Sequence, residues 1–288
     1  MRSRLRFLLP LIPALFGTLL LASFPPLSAC SEDDAPVAPA DSTGIPDSTG
    51  QGDSVIVYAA PATLCTIADS RLTEISGITA SRLRDGIFWM HNDSGDEARI
   101  FAVDTLGRTI AVCRLEGALN RDWEDMASVT IDGTSWIYVG DVGDNNSVRE
   151  YVTVYRLREP ALDPAWRDSA LTIVTEAARF RYADGARDCE ALAVDPRDGR
   201  LLLLEKDGTT CAVFAAAWPG NGGEAELTRI ATFRLPFDFS FWRLVTAADL
   251  HPDGQRILLR TYNSMLEYET RVLPAVPAIF DSSVARVL

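Results

Sequence analysis

The chain has 288 residues and is 47% hydrophobic, enough for one large core and too much for a mini-domain held by disulfides or a structural metal. Asp and Glu outnumber Lys and Arg by 40 to 27, a formal charge of −13, and no basic stripe interrupts that balance. Such a surface repels phosphate backbones, so no nucleic-acid partner is expected.

The first segment reads as an export signal. Arg2, Arg4 and Arg6 precede an apolar run from Phe7 to Phe24, and Leu27, Ser28, Ala29 and Cys30 follow. A basic flank, a short apolar run and small residues before a cut are targeting chemistry and not a fold element. Pro10, Pro13, Pro25 and Pro26 argue against a continuous spanning helix there. Residues 1–29 are therefore predicted to be removed. Residues 30–53 are then a linker of Asp, Pro, Ser, Thr and Gly, with Asp41 to Gly44 echoed at Asp47 to Gly50. It holds too little apolar surface to offset its chain entropy and is predicted to be a disordered tether. Beyond Cys30 the cysteines are Cys65, Cys113, Cys189 and Cys211. An even number permits two disulfides after export, in any of three pairings, while a core of this size holds free thiols equally well.

Residues 54–288 carry a β signal. Short apolar and aromatic runs lie between Asp-Gly and Asn turns: Val55 to Tyr58, Gly86 to Met90, Trp136 to Val139, Tyr151 to Tyr155, Leu201 to Leu204 and Ile257 to Leu259. One short helix is conceivable, from Pro164 to Ala170. The runs belong to four repeated units. The first opens at Glu74, turns at Asp85 and Gly86, and ends on the polar cluster His91 to Asp96. The second opens at Asp122 to Asp125, turns at Asp132 and Gly133, and ends at Gly140 to Asn146. The third opens at Asp188 to Glu190, turns at Asp198 and Gly199, and ends at Glu205 to Gly208. The fourth opens at Thr246, turns at Asp253 and Gly254, and ends at Thr261 to Asn263. A repeat of about 40–50 residues plus loop insertions, with four strands per unit, predicts an all-β fold, a β-propeller of four-stranded blades. Four blades are visible. Either the ring closes with few blades, Val55 to Ile67 completing the last sheet, or it is truncated at the C-terminal side with an open edge.

In each unit the first two strands are antiparallel, so the start of one and the end of the other share an end of the ring. Glu74, Glu124 and Glu190 are predicted to meet there, with Asp93, Asp141, Asn145 and Asp207 behind them. Carboxylates and amide carbonyls are hard oxygen ligands suited to Ca²⁺ or another divalent cation. The same Asx residues also bond their own turns, which is the competing structural use. Asp122, Asp188 and Trp123 are candidate ligand contacts, Trp123 by stacking at the rim. His91 is the one histidine near this end and the only candidate general base; no nucleophile elbow, zinc-protease motif or phosphate loop is present.

Two resemblances follow from these motifs. Leu27 to Cys30 resembles the lipobox of bacterial lipoproteins, which implies diacylation of Cys30 (palmitate-type chains) and a lipid-anchored protein of the cell envelope. Ser31 after the cysteine implies the outer membrane. Glu74 to Gly77, Asn92 to Gly95, Asp122 to Asp125, Gly140 to Asn145 and Asp188 to Leu192 together resemble a group of secreted bacterial β-propeller proteins. The group is distantly similar, at the level of fold, to regucalcin/gluconolactonase and phytase-like propellers, in which acidic channel residues hold calcium. The expected function is binding of a small ligand, glycan or envelope protein at the acidic channel mouth. The alternatives are a divalent-metal-dependent hydrolase of lactones or phosphoesters, and a non-catalytic scaffold.

Overall fold

The computed structural model describes residues 62–269, 275–281 and 285–287. The predicted signal, Cys30, the linker and Val55 to Tyr58 lie outside the described residues.

Four antiparallel strands make the first blade: β1 (Ile75–Ala80), β2 (Ile87–Asn92), β3 (Arg99–Asp104) and β4 (Thr109–Glu116). The second blade begins with β5 (Trp123–Ile131), β6 (Thr134–Asp141) and β7 (Val152–Arg158). The chain then returns as β8 (Ser169–Val174), which lies parallel to β4, before β9 (Glu176–Tyr182) completes the second blade beside β7. The third blade is β10 (Cys189–Val194), β11 (Leu201–Glu205), β12 (Cys211–Ala216) and β13 (Glu224–Phe233). The fourth is β14 (Val245–Leu250), β15 (Arg256–Thr261), β16 (Met265–Glu269) and β17 (Ala285–Val287). The first half of β13 pairs in parallel with β9 and its second half pairs with β12. Together β8 and β13 cover the outer edges of the first two blades, which would otherwise present unpaired backbone.

The Asp-Gly pairs do what their chemistry demands. Between β5 and β6, Asp132 (φ 49°) and Gly133 (φ 74°) both take left-handed conformations, as a two-residue hairpin matched to strand twist requires. The short helix expected at Pro164 to Ala170 is a turn that runs into β8.

Blades pack face to face. Trp89, Ile100, Trp123 and Ile137 fill the seam between blades 1 and 2, and Tyr138, Phe180, Leu192 and Phe214 that between 2 and 3. Leu202, Leu204, Leu259 and Tyr268 fill the seam between 3 and 4. A helix, α1 (Ala275–Asp281), adds Val276, Ile279 and Phe280 to that last core. Among the described residues no apolar cluster joins blade 4 to blade 1, and Arg82 approaches Asp249 between them at 3.9 Å. The other face of blade 1, with Met90, Phe101 and Val103, is covered by Ile67 and Leu72. Thus residues 62–67 form no strand, and among the described residues the outermost strand of blade 4 is β17; the rest of the segment from Val55 lies outside the described residues. Cys113, Cys189 and Cys211 are buried free thiols, and Cys65 is free as well.

The innermost strands β1, β5, β10 and β14 surround an axis. There Asp125 Oδ2 accepts the backbone N–H of Leu192 in β10 (2.9 Å) and of Ala248 in β14 (3.0 Å), while Oδ1 accepts that of Met126 (2.9 Å). One buried carboxylate thereby ties three blades together.

Candidate functional site

Every inner strand starts with the same irregularity. The pairing register slips between Ile75 and Gly77, Trp123 and Asp125, Cys189 and Ala191, and Val245 and Ala247. The extra residue in each blade is Ser76, Glu124, Glu190 or Thr246. A bulge residue leaves the ladder and is re-aimed. All four line one cavity of about 410 Å³ at the end of the ring where the first strand of each blade begins and the second ends. Asp93 and Ser94, just after β2, Asp122 before β5, Asn145, and Lys206, Arg260 and Tyr262 share its wall.

One side is acidic. Carboxylate oxygens of Asp93, Asp122 and Glu124 all lie within 4.8 Å of one another. Glu124 is buried, and the Ser76 Oγ donates to its Oε2 at 3.5 Å. Burial first, then the charges of Asp93 and Asp122, push the Glu124 carboxyl up to about 8. Asp122 is raised as well, by burial and then by Asp93. Gly143 makes this crowding possible, because a Cβ there would collide with Glu124 Oε1 and Asp122 Oδ2. Its loop is fixed from beneath: Arg149 Nη1 donates to the Gly143 carbonyl at 2.8 Å and pairs with buried Asp141 at 2.9 Å.

The other side carries donors. Lys206 pairs with Glu190, and lies 3.8 Å from Asp188. Arg260 is exposed and has no ion-pair partner among the described residues. Tyr262 is half exposed, with its ring stacked on Phe241 at 5.1 Å. Thr246 is 9% exposed, and its Oγ1 has no hydrogen-bond partner. An orphaned buried hydroxyl on a cavity wall is a vacant polar contact. Three clustered carboxylates, with room left for them by Gly143, are an oxygen donor set that fits a hard divalent cation.

Several sequence expectations are corrected by position. Glu74 is exposed and off the cavity; it only lends its backbone to Asn92 and Asp93, and Ser76 occupies the place equivalent to Glu124. Trp123 is fully buried, its Nε1 donating to the Leu119 carbonyl, and its ring meets His91 edge-on and Tyr155 at a tilt, so it faces the core and not the cavity. His91 is buried too, with Nδ1 3.0 Å from the Asn92 carbonyl, and burial lowers its pKa; it has no surface from which to act as a base. Asp141 serves Arg149, Asp207 accepts the backbone N–H of Thr209, and Asp188 accepts that of Asp144 at 3.0 Å. Asp93, Asp122, Glu124, Asn145 and Glu190 do reach the cavity. Sequence reasoning missed Ser76, Gly143, Thr246, Arg260 and Tyr262. The distance from bulge residue to turn glycine varies between units, so the shared bulge, and with it Ser76, becomes visible only in the strand register.

Blades of four antiparallel strands, packed face to face about an axis, define the chain as a β-propeller. No protein-family model matches it, and none of the curated proteins does. Among solved structures it is similar to the β-propeller domain of Myceliophteria thermophila Cps50 (Swd1), at 9% identity over 68% of this chain and 54% of that one, with a TM-score of 0.37. An auxiliary nutrient binding protein from Bacteroides thetaiotaomicron aligns at 11% identity over 78% of this chain and 47% of its own, with a TM-score of 0.39. The PQQ-bound aldose sugar dehydrogenase of Streptomyces coelicolor aligns at 11% over 79% and 83%, with a TM-score of 0.42. The chain thus spans about half the length of the first two. These likenesses concern the fold and carry no activity to this chain.

Proposed function

We propose that this chain is a cation-dependent binding protein of a bacterial cell envelope, anchored to a lipid surface through Cys30 and taking its ligand at the channel mouth. The lipobox-like run Leu27 to Cys30 and the unstructured composition of residues 31–53 support the anchor and tether. The observation that carries the binding reading is the meeting of Asp93, Asp122 and Glu124 on a cavity also lined by Thr246, whose buried hydroxyl has no partner. Asp93, Asp122 and Glu124 would hold Ca²⁺ or a similar ion, leaving part of its oxygen shell to water or ligand. A bound ion would polarise a ligand oxygen. The test is calorimetric titration of the full chain with CaCl₂ and with MgCl₂. Saturable binding weakened about tenfold or more in Glu124→Gln supports the reading; no heat and no thermal shift at millimolar cation overturns it.

A metal-dependent hydrolase is favoured by one feature. A glutamic acid held near 8 beside water-accessible carboxylates is poised to take or give a proton at neutral pH. Turnover of lactones or phosphoesters by the cation-loaded protein, lost in Glu124→Gln and Glu190→Gln, would establish it. Failure of both cation binding and turnover leaves a scaffold.

A further inference from the structure

The geometry points to an anionic sugar as the ligand of this cavity, its acid group seated between the cation side and Arg260 and its ring laid against Tyr262. This inference rests on the cation reading above and names the class of molecule that completes the site.

The cavity is two-sided, and the sides differ in what they lack. Asp93, Asp122 and Glu124 carry excess negative charge, which the Ser76 hydroxyl and the charge of Lys206 offset only in part. Across from them the donors are unequal. Lys206 is already committed to Glu190 and lies near Asp188. Arg260 is not committed; it lines the same cavity and is exposed, with no ion-pair partner among the described residues. A planar guanidinium is shaped for a carboxylate or phosphate. With a divalent ion on the acidic side, an acid group between the two is attracted from both directions.

The rest of the ligand is constrained by what surrounds that anchor. Thr246 lines the cavity, and its buried Oγ1 has no partner, so a small side-chain rotation would offer an unused hydroxyl to a ligand oxygen. Tyr262 is 50% exposed on the cavity wall, and Phe241 stacks on its ring at 5.1 Å with the planes 5° apart, which fixes the ring. Phe241 is itself 53% exposed, and Phe239 and Trp242 beside it are 68% and 41% exposed, so an aromatic ledge borders the polar mouth. An acid group, several hydroxyls and an apolar ring face on one small molecule describe a sugar acid or a sugar phosphate. A volume of about 410 Å³ falls within the range of small-molecule sites and is not a groove for a folded partner.

The test uses the full chain. Calcium affinity is measured first; if calcium does not bind, the cation reading fails and takes this inference with it. With calcium saturating, glucuronic acid, glucose 6-phosphate and glucose are titrated separately, and again in EDTA. At least one of the two acids should bind, at least about tenfold more tightly than glucose, and only with calcium present; which acid it is separates a carboxylate from a phosphate source. Arg260→Gln, a change at an exposed position, should weaken the acid about tenfold while calcium still binds, and Tyr262→Ala should weaken it about fivefold. Melting curves confirm that both variants fold. Calcium binding without either acid, equal binding of glucose, or an undiminished acid affinity in folded Arg260→Gln would overturn the inference and leave the cation site standing.

Discussion

Glu124 and Asp125 are neighbours in the chain, and burial pushes each carboxyl up to about 8, yet they belong to two different regions of the ring. At the axis, Asp125 has both oxygens occupied by backbone N–H groups from three blades. At the mouth, Glu124 meets one long contact from Ser76 and two carboxylates that repel it. A strand alternates its side chains, and the bulge at Glu124 then sends adjacent acids to opposite fates. Burial alone does not mark a functional acid. What the surroundings leave unsatisfied does.

The comparison breaks most visibly at the axis. Asp125→Ala strands three buried N–H donors, and chemical denaturation should show a loss of about 3–5 kcal/mol. A loss under about 1 kcal/mol would mean the carboxylate is not the staple.

At the mouth the expected effect has the opposite sign. The folded pKa of Glu124, about 8, lies above its ordinary value of 4.5, so the folded chain keeps a proton that the unfolded chain releases. The contribution of Glu124 to stability without a cation is therefore greatest below about pH 4.5 and falls as pH rises toward 8. Glu124→Gln should flatten that slope and gain roughly 3 kcal/mol at pH 9, with little change at pH 4. Melting curves across pH check this. A steeper decline in the variant would contradict the assignment, and added calcium should restore the parent protein alone.

Gly143→Ala should come next. Its methyl would press on Glu124 and Asp122, lowering calcium affinity about tenfold in calorimetry, with a stability loss of only about 1–2 kcal/mol. Equal losses of affinity and fold would make Gly143 a packing residue only. The smallest effect sharpens the alignment of the blades: Glu74→Gln should leave calcium affinity within about twofold, because Ser76 holds the position on the cavity. A tenfold loss would return Glu74 to the site.

The repeat itself was plain in the sequence, because Asp-Gly hairpins and alternating apolar runs are local chemistry. All four hairpins form where the Asp-Gly pairs stand, at Gly86, Gly133, Gly199 and Gly254, each with positive φ. The gathering of polar groups at one end was also legible, since antiparallel pairing of two adjacent strands fixes it. Trp123 and His91 were misread for a shared reason. Both flank the acidic motifs in sequence, but a strand sends neighbours to opposite faces, and these two face the seam between blades 1 and 2. Arg260 and Tyr262 belong to the polar end of the fourth unit, but neither is an oxygen ligand of the carboxylate or amide type, so the sequence does not mark them as site residues. Only the closing of blade 4 toward blade 1 gives them a site to face.

By itself, then, the sequence determined the blades, their turns and the end at which their acids collect, because those depend on contacts between residues close along the chain. Tertiary structure decided which acid is a staple between blades and which lines the cavity without a full set of partners. That choice depends on a one-residue slip in four separate sheets and on donors from Leu192 and Ala248, far from Asp125 in sequence and beside it at the axis.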